Sequence, residues 1–425
     1  MRLLCALLFL GACLTAQDST PKERQRTVRE LAKQGAAAIP QLVPYLKDES
    51  VDVRAEAASA IANIGGAQAI DPLLSALADF DPDVRIPAID GITNFYLPGY
   101  IAKGWTAGIR RLGRGIKSRF TDTNTQIIDP SITVREDVIA AFGKIVREDP
   151  DLAVRQSAAR SLGILRGRAA TRDLLEALRN KDKDSTLIYE SVIALQKIRD
   201  PQTAEGMLFL LTDLNERVQI AAIETVGILR YREAQPKLRE AFDRARNARV
   251  RRAALGALGM IPDEANRPLF ETYLTDRDEG LRAAAAEGIG RLGNAGDLPK
   301  IEQLFNEEKK RTAQLSLAFA AVLLGRRDLT QFSPLDFLLS SLNNSSWSGV
   351  AAPFLEEICR IPAVRQSLYP TLPQRTRAEK VELARILSLA GDQDTVPVLE
   401  SLTRDPDTEV GLAASRAIRV LKARL

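Results

Sequence analysis

Carboxylates and thiols are the side chains here that could do chemistry, and their spacing decides which chemistry. Aspartates come in Asp-x-Asp pairs at Asp81/Asp83, Asp149/Asp151, Asp276/Asp278 and Asp405/Asp407. Clustered carboxylates suit a hard cation such as Ca²⁺ or Mg²⁺, but an EF-hand loop also needs an internal glycine and a closing glutamate. Neither follows these pairs, which fall where helices must begin, so they are assigned to helix capping. Of the three cysteines, Cys5 and Cys13 lie near the start and Cys359 stands alone, with no Cys-x-x-Cys pair. A single thiol without a partner reads as a small apolar core residue. Histidine is absent. That excludes Ser-His-Asp and Cys-His mechanisms and histidine-containing zinc sites, and removes the commonest general base. No catalytic, cofactor-binding or metal-ligating residue is assigned, and the chain is read as non-enzymatic.

The clearest binding chemistry lies in residues 95–130. Ile101, Trp105, Ile109, Leu112, Ile116 and Phe120 recur every three or four residues, an apolar stripe at helical spacing. Lys103, Arg110, Arg111, Arg114, Lys117 and Arg119 add positive charge, and 101–120 contains no acid. A basic amphipathic segment with tryptophan on its apolar side has the composition of an interfacial membrane segment or a partner-docking helix. Trp105, Arg110, Arg111, Arg114, Lys117 and Arg119 are therefore the candidate contacts to a protein partner or an anionic membrane surface. Four glycines weaken the segment as a free-standing helix, and the alternative is that it packs back on the rest with its arginines solvated. A second basic cluster, Arg230 to Arg252, reads as solvated helix ends. Tyr231 is the one aromatic set directly between its arginines, which gives no support to stacking on nucleic acid. With Lys plus Arg at 59 and Asp plus Glu at 55, the net charge of +4 adds none either.

Residues 1–16, MRLLCALLFLGACLTA, carry one arginine, a short apolar run and small residues, the make-up of a secretory signal. Leu10-Gly11-Ala12-Cys13 resembles a bacterial lipobox, which would make Cys13 the lipidated first residue. Cleavage after Ala16 is the competing reading. Either way the expectation is export to the periplasm or cell envelope.

The elements that position these residues are repeats. In Val250–Pro262, VRRAALGALGMIP, the residues Val250, Ala253, Ala254, Ala257, Leu258 and Ile261 form one apolar helical stripe, stopped by Pro262. The same pattern starts at Val53, Val84, Val134, Val154, Leu187, Val218, Val250, Leu281 and Val410. From Val154 to Leu281 the steps are 33, 31, 32 and 31 residues, a period that marks stacked helix pairs. Arginine commonly follows the lead residue, glycine often stands nine places after it, and aspartate stands five before it at nearly every copy. An aspartate there accepts from free N–H groups at a helix start. Pro40, Pro72, Pro236, Pro268 and Pro397 lie about thirteen residues ahead, suiting the first turn of a preceding helix. Each unit reads as helix A, an Asp turn, then helix B.

Proline in helix A, aspartate in the turn and Val-Arg at the head of helix B resemble the HEAT repeat, and the short VR-x-x-AA-x-x-LG form resembles the bacterial subclass of phycobilisome lyases. The resemblance covers most of 35–325 and returns at 394–425. It implies an all-α, right-handed α-solenoid of stacked HEAT-like helix pairs, the B helices lining a concave face. The expected organisation is a signal peptide at 1–16, repeats at 17–94, the basic insertion at 95–130, and repeats at 131–325. A degenerate repeat at 326–373, where Pro362, Pro370 and Pro373 mark irregular connections, and a C-terminal repeat or cap at 374–425 complete it. The function expected is a monomeric, non-catalytic scaffold for a protein partner, without nucleic acid or cofactor. The alternatives are a peripheral membrane protein and, by analogy with the lyases, an enzyme.

Overall fold

The computed structural model describes residues 20–100, 126–179 and 184–425. The leader with Cys13, and Trp105, Arg110, Arg111, Arg114, Lys117 and Arg119, lie outside the described residues. Among the described residues every regular element is a helix, and no helix is long and apolar enough to cross a membrane. The chain forms two compact units, residues 1–128 with 132–200, and residues 129–131 with 201–425.

In the first unit, beside the four-residue A helix Ile39–Leu42, the described α-helices are α1 (Pro21–Ala32), α2 (Val51–Ile64), α3 (Ile70–Ala76), α4 (Pro82–Tyr96), α5 (Glu136–Glu148), α6 (Leu152–Ile164), α7 (Thr171–Ala177) and α8 (Ser185–Ile198). Helices α1, α2, α4, α6 and α8 pack in sequence as one row of B helices, with α3, α5 and α7 as A helices behind them. The polar stretch at 17–34 thus contributes a helix to the row. The second unit has α9 (Glu216–Ile228), α10 (Gln235–Arg244), α11 (Ala248–Met260), α12 (Arg267–Tyr273), α13 (Glu279–Leu292), α14 (Leu298–Glu307) and α15 (Arg311–Leu323). It continues with α16 (Pro334–Ser340), α17 (Ser348–Ile358), α18 (Pro362–Leu368), α19 (Arg377–Ala390), α20 (Thr395–Leu402) and α21 (Thr408–Arg424). Its odd-numbered helices form the B row.

Two expectations need correction. Val134 does not head a B helix: α5 begins at Glu136 and packs as the A helix of the pair with α6. The mistake came from Val-Arg at 134–135, which mimics a lead pair although the next lead follows only 20 residues later, too few for a complete helix pair. Pro362 likewise does not mark an irregular connection but opens α18, where its missing N–H has no helical partner to lose. The pairs α16/α17 and α20/α21 keep the A–B arrangement after the sequence period fades.

The core lies between A and B helices. Val53, Ile61 and Leu73 in the first unit, and Val250, Leu258 and Phe270 in the second, are fully or almost fully buried. Each such side chain contributes roughly 1.5–3 kcal/mol relative to exposure. Cys359 joins this core, and burial pushes its thiol up to about 12. Pro40, Pro236 and Pro268 stand in the first two positions of A helices, and Pro72 in the third.

B helices touch one another through small residues. Taking the lead residue as position 0, position 9 of one helix meets position 7 of the next. A Cβ on Gly290 would lie 2.6 Å from the Ala320 Cα, on Gly227 2.8 Å from the Ala257 Cα, and on Gly163 2.7 Å from the Ala194 Cα. The periodic glycine therefore sets the approach of neighbouring repeats rather than stopping a helix. Between α4 and α6 this contact is instead a pair of hydroxyls, Thr93 and Ser161, 2.9 Å apart.

Candidate functional site

Two polar ladders run along the B helices, and the difference between them locates the site. The first lies on the turns. Asp79 accepts from the N–H of Asp81 at 2.9 Å, and Asp81 in turn caps its helix through the N–H of Asp83 at 2.8 Å. Asp149/Asp151, Asp276/Asp278 and Asp405/Asp407 repeat this two-step arrangement. Their oxygens are spent on backbone donors, the capping role assigned from sequence, except that Asp79 and Asp81 take it in place of Asp81/Asp83, Asp83 lying in the first turn of α4. The remaining lone pairs take the ladder arginine of the repeat before. Arg24 reaches Asp48 at 2.7 Å, Arg54 reaches Asp79 at 2.6 Å, Arg85 reaches Asp149 at 2.8 Å, and Arg282 reaches Glu308 at 2.7 Å. Lys380 and Asp405 continue it at 2.7 Å. The hydrogen bond from Lys380 holds the Asp405 carboxyl below its usual range, and that from Arg252 does the same for Asp278.

Arg251 departs from the pattern. Its guanidinium lies 5.0 Å from the ring centre of Phe242 and 5.4 Å from that of Tyr273, and it donates to the Tyr273 hydroxyl at 2.6 Å. Arg230, read from sequence as a solvated helix end, donates to Glu357 at 2.9 Å. Glu357 also takes two bonds from Arg291, at 2.9 and 3.1 Å. One carboxylate thereby joins the end of α9 to α13 and α17.

The second ladder was not anticipated. It runs along one flank of the B row, where position 6 of one helix bonds position 3 of the next, and Glu56, Asp90, Ser157, Glu190 and Ser316 within it are buried. Counting Arg24 as a ladder arginine, Arg29 takes position 6 on α1, and it holds Glu56 of α2 through two bonds of 3.0 Å. Asp90 of α4 accepts from the Ser157 hydroxyl of α6 at 3.1 Å. Arg160 of α6 holds Glu190 of α8 at 2.8 Å, and Glu287 of α13 accepts from the Ser316 hydroxyl of α15 at 3.0 Å. Burial opposes the charge on Arg160, yet Glu190 outweighs it and the guanidinium pKa is raised. Tyr100, which follows α4, lies close enough for burial, and then the charge of Asp90, to push its phenol up.

This ladder has no polar pair between α2 and α4, where Ser59 meets Pro87, and it is broken again between α9, α11 and α13. Glu224 holds position 6 on α9, and the residue opposite it at position 3 of α11 is Ala253, which has no polar side chain. The next step sets Gly256 against Ala284. Glu224 has no hydrogen-bond or ion-pair partner among the described residues. Its side chain is open to solvent yet lies deep enough among protein atoms that desolvation raises its carboxyl pKa. Gly256 differs from the glycines at position 9, because a Cβ there would meet nothing within 4 Å. Ala253, Gly256 and Met260 are all partly exposed, forming one open strip of α11 beside the carboxylate.

Among the described residues, no group of three or more His, Cys, Asp and Glu side chains is arranged to hold a metal ion. The arrangement offers an unfilled rung, a carboxylate above small apolar residues. The lead residues give each helix its register, a signal legible in the sequence, but only the packing shows that position 6 meets position 3 of the next helix.

Comparisons with known proteins follow the same lines. A family model described as HEAT repeats matches residues 8–93, 171–258 and 242–321, and one described as PBS lyase HEAT-like repeat matches 154–180. Deoxyhypusine hydroxylase-B of Oryza sativa subsp. japonica is 23% identical over 290 residues, spanning 64% of this chain and 88% of that protein. Among solved structures, an engineered protein is 19% identical with a TM-score of 0.39, the match covering 90% of this chain and 98% of the other. The complex of CpcE and CpcF of phycocyanin lyase from Nostoc sp. PCC7120 is 17% identical with a TM-score of 0.33, covering 67% and 94%.

Proposed function

The chain belongs to the family of HEAT-repeat proteins, and from that premise we propose that it is a non-catalytic scaffold of the bacterial cell envelope. It holds a protein partner along the flank of its B helices that carries the second ladder. The observation that carries this reading is the broken rung at Glu224. Elsewhere on that flank, at Arg29–Glu56 and Arg160–Glu190, charge is spent inside the protein, whereas here a carboxylate and a bare strip of α11 face solvent. Unspent charge beside apolar surface is what a partner can use.

The non-catalytic part rests on the absence of histidine and on carboxylates committed to capping or to ion pairs. The relatives named for a hydroxylase and a lyase define the competing, enzymatic reading. Placement in the envelope rests on the leader-like residues 1–16, with Cys13 as the lipid-bearing residue or Gln17 as the first residue after cleavage. The basic stretch Trp105–Arg119 supports a second contact, to an anionic membrane surface, which two weak anchors together would make stable.

Photo-cross-linking tests the main reading. A photoreactive residue replacing Ala253 should capture one stoichiometric protein from envelope preparations, while the same residue at Arg239 on α10 captures none. Equal capture from both positions, or recovery of lipid alone, would overturn it. The mass of the mature N-terminus in the same run decides between Cys13 and Gln17.

A further inference from the structure

The unfilled rung also says what chemistry the partner must bring, an inference that rests on the scaffold reading. Position 6 of a B helix pairs with position 3 of its neighbour wherever both carry polar side chains, and at two of those rungs an arginine meets a glutamate. At α9 the glutamate is present and its counterpart is Ala253. Among the described residues the surroundings supply no replacement cation: the charges that bound this region, Arg230, Arg291, Glu287 and Glu357, are already paired with one another.

Two features of the gap each cost the protein stability, and no internal contact explains either. A glycine inside a helix is less stable than alanine by about 1 kcal/mol. At Gly227 and Gly290 close packing requires it, but at Gly256 nothing lies where a side chain would go. At Glu224 desolvation raises the carboxyl pKa, and among the described residues it has no counter-charge. The two stand at the same position on neighbouring helices, so one incoming group can answer both. A lysine or arginine matches this shape: its aliphatic stem lies over Ala253, Gly256 and Met260 while its charged head reaches the carboxylate.

We propose that the B-helix flank at α9–α11 binds a protein segment that presents a lysine or arginine, which lies over Gly256 and completes the missing rung with Glu224. The partner supplies in trans the cation that Arg29 and Arg160 supply in cis elsewhere.

The test uses the full-length protein and an array of alanine- and leucine-based 12-residue peptides carrying a central Lys, Arg, norleucine or Glu. The Lys and Arg peptides should be retained about twofold better than the norleucine ones, the factor that about 0.5 kcal/mol of solvent-reachable charge pairing gives. Glu224→Gln should abolish that preference, and Glu224→Arg should reverse it toward the Glu peptides. Gly256→Leu should lose binding without lowering the melting temperature, so loss of fold is excluded as the cause. Ala253→Arg, which fills the rung from within, should compete with the peptides and weaken them. Charge preference that survives Glu224→Gln, or binding untouched by Gly256→Leu, overturns the proposal. Cross-linking from position 253 separates this outcome from the wider reading. If a protein is still captured by the Glu224→Gln variant at full yield, the scaffold stands and the basic rung falls.

Discussion

Helices α6 and α8 and helices α9 and α11 are built from the same repeat, yet their flanks along the second ladder have opposite characters. Between α6 and α8, Arg160 meets Glu190, both side chains mostly hidden, and the rung is closed. Between α9 and α11, Glu224 faces Ala253 and then the open edge of Gly256. The backbone contact beneath is alike in the two places: Gly163 against Ala194 and Gly227 against Ala257. Stacking is therefore indifferent to what the flank carries. The closed flank adds rigidity and specifies register, whereas the open one gives up stability to keep surface available, the usual relation between stability and function.

The comparison breaks most visibly at the glycines. Gly290→Leu drives a Cβ toward the Ala320 backbone and should cost about 3 kcal/mol, at the upper end for overpacking. Gly256→Leu should cost nothing measurable. Denaturant unfolding of the two variants measures the gap, and equal losses would mean that α11 is packed where it is read as open. Next in size is the closed rung. Arg160→Met leaves Glu190 without its cation in a mostly buried place, with a loss of about 3 kcal/mol by the same measurement. The reciprocal change, Ala253→Arg, should stabilise by about 0.5 kcal/mol, since a solvent-reachable pair contributes little.

Comparable in size is the gain from Gly256→Ala, about 1 kcal/mol at most, read as a raised melting temperature. The smallest effect is in pH. Asp278 and Asp405 are held below the usual carboxylate range, so their stabilisation is complete at neutral pH and fades as pH falls below about 4. Glu224 has the opposite sign. Its folded pKa is raised, so the folded state loses stability as pH rises through the carboxylate range. Glu224→Gln should therefore raise the melting temperature slightly at pH 7 and leave it unchanged at pH 3.5, and a variant that is less stable at pH 7 would show a hidden partner for Glu224.

Much of this was legible beforehand. The period, the Asp turn and the proline of helix A identified the helix pairs, because each is a local rule about one turn of chain. The Val-Arg at 134–135 misled for the same reason: a lead pair is a local signal, and only packing tells an A helix from a B helix. Glycine at position 9 was visible as a pattern, but its reason is the backbone of the next repeat. Arg230 and Glu357 stand 127 residues apart, and no sequence rule pairs them.

By itself, the sequence determined that the chain is all helix, where most pairs begin, and that histidine chemistry is absent, since these follow from residue type and near-neighbour spacing. The tertiary structure alone decided which charges are spent. Whether Glu190 and Glu224 differ depends on what the neighbouring repeat sets opposite them, Arg160 in one case and Ala253 in the other. A carboxylate is neutralised or left open by contacts through space, which the order of residues within one repeat does not contain.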